Sequence, residues 1–77
     1  MRDVGFVTSN PNKVRVLEVI RKRGKTTMKE VSKFTRIPEV MLRGVLEELK
    51  REGFVSEEEG LLKLTPAGFE VLEKMRI

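Results

Sequence analysis

Apolar residues in the first third of the chain recur at helical spacing: Val14, Leu17 and Ile20 form one stripe, widened by Val16 and Val19, with Arg15, Glu18 and Lys22 on the opposite arc. Asn10-Pro11 precedes the stripe and Gly24 follows it, which predicts a helix from Pro11 to Arg23. Thr27-Met-Lys-Glu30 has the form of a capping box and predicts a second helix from Met28, with Met28, Val31 and Phe34 as its buried stripe. That helix is short, because Pro38 pushes Ile37 out of helical geometry. Pro38 then opens a third helix reaching Glu52, with Leu42, Val45, Leu46 and Leu49 on one face and Gly53 as its stop.

Beyond Gly53 the pattern shortens. Phe54-Val55 and Leu61-Leu-Lys-Leu64 flank a polar segment ending in Gly60, which predicts a β-hairpin with a longer loop. Thr65-Pro66 starts a last helix carrying Phe69, Val71, Leu72 and Met75. At the other end, Val4-Gly-Phe-Val-Thr8 reads as a short strand or an arm, so residues 1–9 are set apart from a domain spanning 10–77. The expected fold class is α+β, mainly α.

Composition removes several kinds of chemistry. The 77 residues suffice for one small core, and packing alone must hold it, since there is no cysteine for a disulfide or thiolate. Without histidine or cysteine, and with Asp3 as the single aspartate, the usual metal ligands and the usual neutral-pH base are missing. Neither an enzyme nor a cofactor is expected. No apolar run is long enough to span a bilayer, and Met1-Arg-Asp-Val lacks the layout of a signal peptide, so a soluble cytoplasmic protein is expected. High charge content without glutamine or cysteine is a bias seen in heat-adapted proteins.

The net charge of +4 is unevenly placed: residues 1–36 hold ten Lys/Arg against three Asp/Glu, residues 37–77 six against nine. A basic half beside an acidic half suits a phosphate-facing surface, or surfaces that associate with further copies of the chain.

Glu30-Val-Ser-Lys-Phe-Thr-Arg-Ile-Pro38, Leu42-Arg-Gly-Val-Leu-Glu-Glu-Leu49, Arg51-Glu-Gly-Phe-Val55 and Leu64-Thr-Pro-Ala-Gly68 follow one another in the order helix, turn, helix, hairpin, helix. Over residues 10–77 this resembles the winged helix-turn-helix domains of archaeal and bacterial transcription regulators of the MarR, IclR and ArsR groups. The resemblance implies a three-helix core, a β-hairpin wing and a C-terminal helix. It also implies double-stranded DNA as partner, with helix 38–52 in the major groove, and a homodimer on paired half-sites.

On that helix the outward residues are Val40, Arg43, Gly44, Glu47 and Arg51, with Glu39 and Met41 at the flanks. Arg43 either makes a bidentate guanine contact or belongs to a ladder of i,i+4 pairs, Glu39 with Arg43 and Glu47 with Arg51; both readings stand. Gly44 and Val40 form a small flat patch suited to a sugar-phosphate edge, a thymine methyl or a protein helix. Arg36 occupies the turn position where such families place glycine; with Lys29 and Lys33 it spans backbone phosphates, and Thr27 adds a hydroxyl and an amide.

Lys25 ends the run Arg21-Lys-Arg-Gly-Lys25, which reads either as a phosphate grip or as cations complementing a helix C-terminus. Glu57, Glu58 and Glu59 give the wing tip the wrong sign for phosphate, so residues 25–43 are expected to carry the contact. The early cations and the front of the helix after Pro38 should then make one continuous face. The alternative function is a protein-docking module acting through Val40, Met41 and Gly44 or through the acidic wing.

Overall fold

The computed structural model describes residues 10–75. α1 (Pro11–Arg23) is the central element and packs on α2 (Met28–Thr35), α3 (Glu39–Arg51), the second strand of the hairpin, and α4 (Pro66–Met75). Its start follows from Asn10, whose side chain accepts the amide of Asn12, and its end from Gly24 at φ 85°, whose N–H donates to the Ile20 carbonyl over 2.8 Å. Val16, Leu17 and Ile20 are fully buried, with Val14 and Val19 packed at the margins. Lys13 shares the buried face, which the apolar spacing did not signal.

α2 begins in the expected capping box: Thr27 Oγ1 accepts from the Glu30 amide, and Glu30 Oε1 accepts from the Thr27 amide. Its buried face is Val31 and Thr35, which corrects the expected place of Phe34, found 52% exposed. Thr35 replaces it at no polar cost, because its hydroxyl donates to the Val31 carbonyl at 2.7 Å and accepts from the Ile37 amide at 3.3 Å. The Phe34 ring instead lies 4.6 Å from the Arg23 guanidinium at the end of α1.

α3 starts one residue later than its proline suggested. Pro38 has ψ 143° and stands outside the helix as its N-cap, its carbonyl accepting from Met41 and Leu42 over 3.0 and 2.8 Å. Leu42, Leu46 and Leu49 are buried, as expected from the stripe.

The hairpin pairs β1 (Val55–Glu58) with β2 (Leu61–Leu64), Val55 opposite Leu64 and Glu58 opposite Leu61. Its loop is two residues, Glu59 and Gly60 at φ 53° and 80°, rather than the expected long one. Both positive φ angles match the twist of the strands; the polar run Ser56–Glu58 is strand through its pairing with Lys63, Leu62 and Leu61, and Lys50 of α3 holds the Glu57 carboxylate at 2.6 Å. Thr26 adds a single bridge on the other side of β2, with hydrogen bonds of 3.0 and 2.6 Å to Leu62.

α4 rests on Gly68, Val71 and Leu72, and Phe69 is 48% exposed. A Cβ at Gly68 would collide with the Phe54 carbonyl oxygen. That close approach fixes the roll of the helix and turns the next residue, Phe69, about 100° away from the contact.

Candidate nucleic-acid interface

The link between α2 and α3 is held from several sides. Arg36 is left-handed at φ 63° and ψ 26°, a conformation that costs a side-chain-bearing residue about 1 kcal/mol or more. Its amide donates to the Ser32 carbonyl at 2.8 Å, Ser32 Oγ donates to the Ile37 carbonyl at 2.6 Å, and the Arg15 guanidinium donates to the Thr35 carbonyl. Ile37 is buried, so the turn is anchored in the core while Arg36 faces solvent. The first turn of α3 is thereby fixed relative to α2.

The front of α3 is bare. Val40 is 77% and Met41 54% exposed, Glu39 and Arg43 are exposed, and nothing lies within 4 Å of a Cβ built at Gly44. Among the described residues Arg43 pairs with no carboxylate, and neither does Arg51, so the i,i+4 ladder is not formed. Arg43 keeps its planar donor fork free for an external acceptor.

The early cations do not make one continuous face. Lys13 is 1% exposed and bound to Glu48 and Glu52; Arg21 is paired with Glu18, and Arg23 with Glu30 at 3.6 Å. The run 21–25 thus has half of its charge engaged within the chain. Lys22 and Arg23 line a shallow open groove with Val19 and Phe34. Lys25 lines a hollow against the hairpin with Glu58, Glu59, Leu61 and Lys63.

What is left for the α2–α3 side is Lys29, Lys33 and Arg36, all exposed and without an ion pair among the described residues. Lys29 and Lys33 lie one helical turn apart, and Arg36 follows at the C-cap. Thr27 departs from expectation in one respect: its amide is taken by Glu30, so its hydroxyl hydrogen is what it can still offer. Glu30 is held below the usual carboxylate range, first by the Thr26 hydroxyl at 2.7 Å, then by the Thr27 amide and the charges of Arg23 and Lys33, against the opposing effect of burial.

No protein-family model matches the chain. An uncharacterised protein of Archaeoglobus fulgidus is 39% identical over 64 residues, 83% of this chain and 72% of that one, and the two belong to one family. Among solved structures, the reduced form of MarR from E. coli superposes with a TM-score of 0.81 at 27% identity, over 84% of this chain and 49% of that one. BpsR of Bordetella bronchiseptica, whose DNA binding is regulated by 6-hydroxynicotinic acid, gives 0.80 at 30% identity over 86% and 51%. A Listeria innocua protein of unknown function gives 0.85 over 99% of this chain and 57% of that one; at 24% identity it speaks for the fold alone. The chain has the winged helix-turn-helix fold, like that of MarR and BpsR.

In this winged helix α2 and α3 are the helix-turn-helix pair, β1 and β2 the wing, and the Thr26 bridge the short edge of the wing sheet. The chain spans about half the length of the solved winged-helix structures it matches. Among the described residues no helix is long and apolar enough to cross a membrane, and no cluster of His, Cys, Asp or Glu could hold a metal ion.

Sequence reasoning missed Arg15 and Lys50, which fix the turn and the wing. Arg15 was placed on the outer arc of its helix and Lys50 drew no reading, and their partners, 20 and 7 residues away, are not visible to a helical period.

Proposed function

We propose that this winged helix is a sequence-specific double-stranded DNA-binding regulator, with the N-terminal half of α3 in the major groove. The observation that carries the reading is the bare front of α3 standing next to three exposed cations that make no ion pair among the described residues, Lys29, Lys33 and Arg36. In this arrangement α2 and the turn hold backbone phosphates and set the register, and Arg43 supplies the directional contact to a guanine edge. Glu39 stands on the same turn of α3 and disfavours phosphate there, which confines backbone contacts to α2, the turn and the Thr27 hydroxyl.

The wing plays little part. Glu57 is engaged by Lys50, while Glu58 and Glu59 stay exposed beside Lys25 and Lys63 and without an ion pair among the described residues, so the tip of the wing repels phosphate. We infer a cytoplasmic homodimer on paired half-sites, with the exposed Phe69 of α4 at the contact between copies.

The test is a titration of mixed-sequence duplex DNA at several salt concentrations. Affinity falls steeply with salt, Lys33→Ala reduces the logarithmic slope by about one, and Arg43→Ala costs about 1–3 kcal/mol and relaxes base preference at one position. Binding that is undetectable or indifferent to salt rejects the reading in favour of a protein-docking role.

A further inference from the structure

On that DNA-binding reading, we propose that Val40 reads the 5-methyl group of a thymine, placed within two base pairs of the guanine assigned to Arg43. Val40 sits in the first turn of α3 with 77% of its surface exposed, on the face turned away from the buried leucines. Its side chain ends in methyl groups and can neither donate nor accept a hydrogen bond. Along the major-groove edges every other distinguishing feature is a donor or acceptor; the thymine methyl is the one apolar group. Valine pressed on any other edge strips water from a polar atom and returns no bond.

Gly44 lies one turn further along the same line, and nothing stands within 4 Å of where its Cβ would be. A bare backbone there lets α3 sink toward the bases, which brings a side chain as short as valine into contact. A patch of Val40, Met41 and a glycine is far smaller than the roughly 800 Å² per partner of a stable protein interface. The exposed Arg43 beside it and the exposed cations of α2, without ion pairs among the described residues, suit a polyanion. Val40 and Arg43 are three residues apart, about 4.5 Å along the helix axis. Against a base step of about 3.4 Å, that places the two contacts on neighbouring or next-neighbouring pairs.

The chain is used to select its preferred duplex from a random pool, and each thymine of that duplex is then replaced singly by deoxyuridine, which differs by the methyl alone. One replacement, within two base pairs of the position where Arg43→Ala loses guanine preference, weakens binding about four-fold, the equivalent of about 0.8 kcal/mol for a methyl-sized apolar group. Val40→Ala, at an exposed helical site where alanine is the better helix former, binds the thymine and uracil duplexes equally. Val40→Ala that still discriminates as the unaltered chain does overturns the proposal, as does a selected duplex with no methyl-sensitive position. Steep salt dependence with no thymine effect removes this inference and leaves DNA binding standing; loss of salt-dependent binding altogether removes both.

Discussion

Lys13 Nζ lies 3.0 Å from Glu52 Oε2 and 3.0 Å from Glu48 Oε1, fastening the first turn of α1 to the end of α3 across a nearly sealed interface. The ammonium is taken from water, so its carboxylate partners are what make its burial tolerable. Deleting it leaves Glu52, mostly buried, with a charge and no counterion. Lys13→Ala is expected to lower unfolding free energy by about 3 kcal/mol, the lower end for a broken buried pair because Glu48 is half exposed. Arg21→Ala, which breaks the exposed pair with Glu18, should cost about 1 kcal/mol or less in the same urea titration.

Gly68 and the Phe54 carbonyl are in such close approach that any Cβ must displace backbone. The same corner holds the Thr65 amide on the Phe54 carbonyl at 3.0 Å and the Gly68 amide on Thr65 Oγ1 at 3.1 Å, so α4 cannot back away without losing bonds. Gly68→Ala should destabilise by about 2 kcal/mol or more despite alanine's higher helix propensity. A midpoint in urea equal to that of the unaltered chain would show that α4 shifts freely.

Gly44 is the opposite case. It is exposed and helical with open space around it, so Gly44→Ala should raise stability by about 1 kcal/mol. If α3 approaches the bases closely, the same change weakens duplex binding. Opposite signs from one methyl group, read by thermal unfolding and by titration, separate a position kept for contact from one that is merely tolerated.

Glu30 links the N-terminus of α2 to acidity. Its carboxyl is held below its ordinary 4.5 in the folded chain, so between the folded and unfolded values the unfolded chain binds more protons, and stability rises with pH there. The contribution is fully present above the unfolded value and disappears as pH falls through the folded one. Glu30→Gln keeps an acceptor for the Thr26 hydroxyl and the Thr27 amide but does not ionise. The drop in melting temperature between about pH 6 and about pH 3 should therefore be smaller in this variant than in the unaltered chain. An identical drop would assign the acid sensitivity to other carboxylates.

Features settled within a few residues were legible from the chain alone. Asn10, the Thr27 and Glu30 pair, Gly24 and Gly53 set helix ends through contacts to their near neighbours, and the leucine spacing of α3 already implied that Val40, Arg43 and Gly44 face outward. Whether a given cation is open was not legible, because it depends on carboxylates far along the chain; Lys13 finds Glu52 across 39 residues. The two-residue turn at Glu59-Gly60 was hidden because Ser56–Glu58 has the composition of a loop and is strand only through its pairing with Leu61–Lys63.

Between residues 10 and 75 the amino-acid order by itself determined the order of helices and strands and the outward face of α3, because periodicity and capping act over one or two turns; the arm or strand expected within residues 1–9 lies outside the described residues. Tertiary structure alone decided that Lys13 lies inside and Phe34 outside, that Thr26 adds a bridge to the sheet, and that on the α2 side Lys29, Lys33 and Arg36 are the exposed cations without an ion pair among the described residues. Burial and charge pairing are properties of what packs against a residue, and packing joins segments that the chain keeps far apart.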